Sequence, residues 1–62
     1  MINIFEYEGK NVMIYCSDGR TYKGKINWCV PAIDMEENED FLAIDGVGIF
    51  ANEIKSIDTI DK

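Results

Sequence analysis

Three groups of residues in this chain have side chains able to do chemistry: two thiols, a run of carboxylates, and a set of aromatics and cations. The thiols are Cys16 and Cys29. A thiol is nucleophilic as its thiolate and needs a base or cation beside it to reach that state. The chain contains no His, which removes the commonest base, the familiar catalytic dyads and most zinc sites. No CxxC spacing occurs, and two cysteines are too few for a disulfide framework. Both therefore read as small hydrophobes, unpaired with each other. The carboxylates Asp34, Glu36, Glu37, Glu39 and Asp40 lie in the run DMEENED. A calcium loop needs alternating ligands and a glycine, and this run has neither, so it reads as a solvated acidic connection. No pair of acids stands in an apolar setting suited to proton transfer. The expectation is a protein that is not an enzyme and uses no metal or cofactor. The third group, Tyr15, Arg20, Lys23, Lys25 and Phe50, combines stacking surfaces with cations, as a single-stranded nucleic acid or a partner surface would require.

Charge weighs against the nucleic acid. Six Lys and Arg face twelve Asp and Glu, a net charge of -6 with a pI near 4.3, whereas phosphate backbones and anionic membranes are bound through excess cations. No apolar run approaches the roughly 18 residues of a membrane span. The opening MINIFEYEG lacks a basic region and a continuous apolar stretch, so it does not read as a signal peptide. A cytoplasmic protein is expected. With 62 residues, the chain reads as one domain, residues 1–62, whose core supplies only about 3–5 kcal/mol. A compact closed sheet or a partner covering leftover apolar surface is then needed, and size alone leaves self-association open.

The elements that position these residues begin with a hairpin, KNVMIYCSDGRTYKGKINW over residues 10–28. Val12, Ile14 and Cys16 alternate with Met13 and Tyr15. A two-residue Asp18-Gly19 turn would set Ile14 opposite Lys23. A three-residue Ser17-Asp18-Gly19 loop, with Gly19 left-handed, sets Ile14 opposite Tyr22 and Val12 opposite Gly24. A one-residue slip flips every side chain, and only the second register gathers an apolar face: Val12, Ile14, Cys16, Tyr22, Gly24, Ile26 and Trp28. Lys23, Lys25 and Asn27 then face water with Met13 and Tyr15, and Cys29 falls opposite the apolar face unless a bulge intervenes. Gly24 predicts a sharp bend that lets one long strand serve two halves of a sheet.

Ahead of the hairpin, residues 1–9 predict a brief helical turn or edge strand, with Phe5 and Tyr7 covering an open end of the sheet. Beyond it, Pro31 ends the second strand. Strands follow over 41–45, 49–51 and 54–60, with a turn at Asp45-Gly46-Val47-Gly48 and a one-turn corner at Asn52-Glu53. The reading is all-β: five short, nearly all antiparallel strands in a strongly bent SH3-like barrel.

At this point the chain resembles the Sm and Sm-like proteins. Their first motif, alternating aliphatics, a D/N-G turn, then aromatic-x-Gly-x-aliphatic, corresponds to Val12-Met13-Ile14, Asp18-Gly19-Arg20 and Tyr22-Lys23-Gly24-Lys25-Ile26. The hydrophobic frame of the second motif corresponds to Ile49, Ile54 and Ile57, but its Arg-Gly is Phe50-Ala51, and the Met-Asn pair of the first motif's continuation is missing from 28–34. The resemblance implies a small barrel that self-associates by edge pairing of its fourth and fifth strands, placing Ile49, Ala51, Ile54 and Ile57 at the assembly edge. It implies RNA binding only through the departed positions, so RNA stands as the alternative partner to protein or a second copy.

Overall fold

A computed structural model describes residues 2–60. Its strands are β1 (Asn11–Cys16), β2 (Thr21–Val30), β3 (Phe41–Ile44), β4 (Val47–Phe50) and β5 (Ile54–Thr59), with single 3-10 turns at Ile4–Tyr7, Ala32–Asp34 and Ala51–Glu53. All pairings are antiparallel, in the order β4-β3-β2-β1-β5. The fold is thus the small, bent, five-stranded all-β sheet that the sequence predicts. It stays open rather than closing into a barrel: β4 and β5 are its two edges, linked in sequence by the Ala51–Glu53 turn. That turn takes in Ala51, which the sequence had placed in a strand.

The first hairpin has the three-residue register, with Val12 opposite Gly24 and Ile14 opposite Tyr22. Gly19 holds φ 96°, the left-handed conformation a loop of this type demands. β2 serves both halves of the sheet: its first residues pair with β1 and its last with β3. The bend falls at Gly24, whose φ of 152° is closed to most side chains; a Cβ there would stand 3.4 Å from that of Asp45 in the β3–β4 turn. Asp45 and Gly46, at φ 50° and 83°, form a two-residue hairpin turn.

The core holds Ile4, Val12, Ile14, Cys16, Ile26, Leu42, Ile44, Ile49, Ile54 and Ile57. Two bulges decide its membership. Between Tyr15 and Cys16 the β1–β5 register shifts so that Cys16 faces Ile54 while Tyr15 faces Ser56. The extra residue, Lys55, lets Ile54 and Ile57 point inward although three apart. On β2, Ile26 faces Ile44 while Trp28 already faces Ala43, leaving Asn27 as the extra residue. Every side chain beyond Asn27 changes face. Trp28, expected on the apolar face, is therefore outward and 54% exposed, and Cys29 turns toward the core.

The N-terminal turn also differs from expectation. Its plug is Ile4, fully buried, whereas Phe5 is 38% exposed and Tyr7 only packs partly against the core. Asn3 fixes the turn by accepting the Phe5 N–H on Oδ1 at 3.1 Å. The turn is tied to the sheet by Gly9 N–H donating to Ile26 O at 2.9 Å and by Ile26 N–H donating to Lys10 O at 3.1 Å. Cys29 Sγ reaches Ile4 O at 3.7 Å. No helix of the described residues is long and apolar enough to cross a membrane.

Candidate functional site: open edges and an outward aromatic face

The two edges can be described group by group. In an antiparallel ladder, residues alternate between pairs that exchange hydrogen bonds and pairs whose N–H and C=O point away from each other. Ala51 N–H donates to Asp40 O at 2.8 Å, which makes Asp40–Ala51 a bonded pair. Leu42–Ile49 is then bonded as well, and Phe50 and Gly48 turn their backbone groups away from β3. On the opposite edge Ile60 N–H donates to Asn11 O at 2.8 Å. By the same alternation, Ile57 and Thr59 turn theirs away from β1. Each edge thus presents two residues with free donors and acceptors. The side chains of Ile49, Ile54 and Ile57, predicted at an assembly edge, point into the core, so what the edges offer is backbone.

The sheet's outer face carries a second apolar group. Trp28 pairs with Ala43 and Ala43 with Gly48; one row on, Val30 pairs with Phe41 and Phe41 with Phe50. The Phe41 and Phe50 rings meet edge to face with centroids 5.1 Å apart. Phe41 leans over Gly48, and Ala43, though on the outer side, is buried. The sequence offered no sign of this group, because its central member depends on the bulge at Asn27.

The basic-aromatic residues are only partly brought together. Tyr15, Lys23 and Lys25 share the exposed outer face of β1 and β2, as expected. Arg20 is engaged locally: its backbone N–H donates to Asp18 Oδ1 at 3.0 Å, its Nε to Oδ2 at 2.7 Å, and its guanidinium lies 5.9 Å from the Tyr22 ring centre. That backbone bond first, then the guanidinium, hold the Asp18 carboxyl below its ordinary value. A depressed carboxyl stabilises the fold above its unfolded pKa, and the contribution is lost as pH falls through the folded value. An NMR titration should accordingly find Asp18 below its model-peptide value, and Arg20→Ala should reduce the shift without abolishing it, because the backbone N–H at position 20 still donates. Phe50 sits elsewhere: Tyr15 pairs with Thr21 at the start of β2, and Phe50 joins, through Phe41, to Val30 at its end.

Neither thiol is set up for attack. Burial, the largest cause, and the nearby Asp18 carboxylate push Cys16 up; burial, with Glu8 and Asp40 adding, pushes Cys29 up to about 11. A cleft of about 570 Å³ opens between the β2–β3 connection and the Ala51–Glu53 turn with the start of β5, walled by Ile2, Ala32, Ala51 and Ile54, with Glu39, Asp40 and Lys55 among its polar residues. Asp40 has a structural role there, accepting the Ala32 N–H on Oδ1 at 2.8 Å.

Comparison with family models, with curated proteins and with solved structures finds no match to this chain.

Proposed function

We propose that this chain is a non-enzymatic, Sm-like assembly module of the cytoplasm that associates with copies of itself, or with a protein partner, through the edges of its sheet. The observation that carries the reading is the pair of open edges, β4 with free groups at Gly48 and Phe50 and β5 with free groups at Ile57 and Thr59. Exposed edges pair with other strands unless something blunts them, and neither strand contains Pro. Size supports the same conclusion, since a core of this scale gains from surface covered by a partner. The nucleic-acid alternative has in its favour that Trp28 lies on the same outer side of β2 as Lys23 and Lys25. Against it stand the net charge of -6 and the local engagement of Arg20.

The test uses light scattering after size exclusion over a range of concentrations. Wild-type protein is expected to give a mass above that of one chain. Thr59→Pro removes an N–H that points away from β1, so the internal ladder survives while the outer edge loses a donor and gains a bulky ring. This variant should stay folded by circular dichroism and run as a monomer. A wild-type mass of one chain at every concentration would falsify the reading.

A further inference from the structure

We infer that Asp45-Gly46, the turn between β3 and β4, is a site of spontaneous main-chain modification from aspartate to isoaspartate, and that the fold protects Asp18-Gly19 from the same reaction. These are the two aspartates of the chain that precede a glycine, and no asparagine does. Glycine matters because the reaction begins when the next amide nitrogen attacks the aspartate side chain, an approach that a following side chain obstructs. The Gly46 nitrogen bonds to Cγ of Asp45, and the carboxyl hydroxyl leaves with the amide proton as water, closing a five-membered succinimide. Water then reopens the ring. Addition at Cγ restores aspartate. Addition at the main-chain carbonyl breaks its bond to the Gly46 nitrogen and leaves the chain running through Cβ and Cγ of residue 45. The step needs water alone.

Both turns are exposed, so access does not separate them. Hydrogen bonding does. At the first turn both reacting groups are occupied. Gly19 N–H donates to Cys16 O at 3.0 Å, and the Asp18 carboxylate accepts Arg20 N–H at 3.0 Å and Arg20 Nε at 2.7 Å. These donors favour the ionised carboxylate, which is a poor target for a nucleophile. At the second turn neither group is held. Among the described residues no hydrogen bond or ion pair engages the Asp45 carboxylate, and none takes up the Gly46 N–H. Asp45 also stands at φ 50°, a region costly for a residue with a Cβ, so rearranging this turn releases strain. The two-residue loop sets the Ile44–Val47 pairing. An added main-chain carbon no longer fits that pairing, and β4 loosens from β3.

Trypsin separates the two sites: cleavage after Lys10, Arg20, Lys25 and Lys55 puts Asp18 in residues 11–20 and Asp45 in residues 26–55. Wild-type protein kept folded in warm neutral buffer is digested at intervals. Each peptide is assayed for an isomer of equal mass, located by fragmentation, and for methylation by an isoaspartate-specific carboxyl methyltransferase. The isomer at Asp45 is expected to accumulate several-fold faster than one at Asp18. In urea, with the turn bonds gone, the two rates should converge. Asp45→Gly accepts the positive φ and carries no carboxyl, so its 26–55 peptide should stay a single species. Amide exchange at Val47 should quicken in the modified protein while the first hairpin keeps its protection. Equal rates in the folded protein, faster reaction at Asp18, or no isomer at Asp45 each overturns the inference. So does a rate gap that persists in urea, an isomer that persists in Asp45→Gly, or unchanged exchange at Val47.

Discussion

Replacing Ile4 by Ala is expected to remove most of the stability of this protein. Ile4 is fully buried and, among the described residues, is the only buried core residue that lies outside the strands. Truncating a buried isoleucine costs about 2–5 kcal/mol, combining lost transfer energy with the void left behind. A domain of this length has only about 3–5 kcal/mol to lose. The site has limited means of collapsing into the void, because Asn3 pins the turn on one side and the Gly9–Ile26 and Lys10–Ile26 backbone bonds pin it on the other. Urea unfolding followed by far-ultraviolet circular dichroism should show a large fall in midpoint. Ile4→Val should fall by about 0.5–1.5 kcal/mol, and Phe5→Ala, at a site 38% exposed, by less than Ile4→Ala. If Phe5→Ala proves the more damaging of the two, the plug is Phe5, as the sequence alone suggested.

Where the sheet alternates without interruption, the sequence was enough to place its side chains. Val12, Ile14 and Cys16 against Met13 and Tyr15 allow one hairpin register, because the competing one would bury Lys23 and Lys25. The glycine at the bend and the chain order of five strands are legible for the same reason: turn residues and apolar spacing act over short distances. The bulges are different. An extra residue at Asn27 or Lys55 carries no signature in its own side chain, and it is the shape of the sheet that requires it. The rest of β2 beyond Asn27 therefore changes face unannounced. Trp28 moves from the core to the surface, Cys29 moves inward, and an aromatic face appears. Ile4 was hidden by a different effect, since a 3-10 turn of four residues is too short to show a period, and Phe5 and Tyr7 are the larger residues beside it.

The function is less legible than the fold because it rests on edges and faces. A strand's outward N–H and C=O groups belong to the backbone, so Gly48, Phe50, Ile57 and Thr59 offer the same chemistry as any other edge residue. What distinguishes this chain is the distribution of charge along it, with Lys23 and Lys25 on the first hairpin and five of its acids in the β2–β3 connection.

The outer face has a built-in test at Gly48. A Cβ at this position would collide with Cζ of Phe41 and stand 2.8 Å from its Cε1. Both are closer than side-chain carbons tolerate, so the ring must move. Moving it breaks the edge-to-face contact with Phe50, 5.1 Å between centroids. Two effects then oppose each other in Gly48→Val. A β-branched residue in a strand recovers up to about 1 kcal/mol of intrinsic preference over glycine. Forcing a packed ring aside costs about 1–3 kcal/mol, so the net change is destabilising and Trp28 emission should shift as its neighbours rearrange. The decisive measurement is a double-mutant cycle with Phe41→Ala. Without the ring there is nothing for the new side chain to displace, and Gly48→Val should become neutral or stabilising in that background. An equal loss with and without Phe41 would mean that Gly48 is required by its own backbone, and the aromatic face would no longer explain why a glycine stands in the middle of an edge strand.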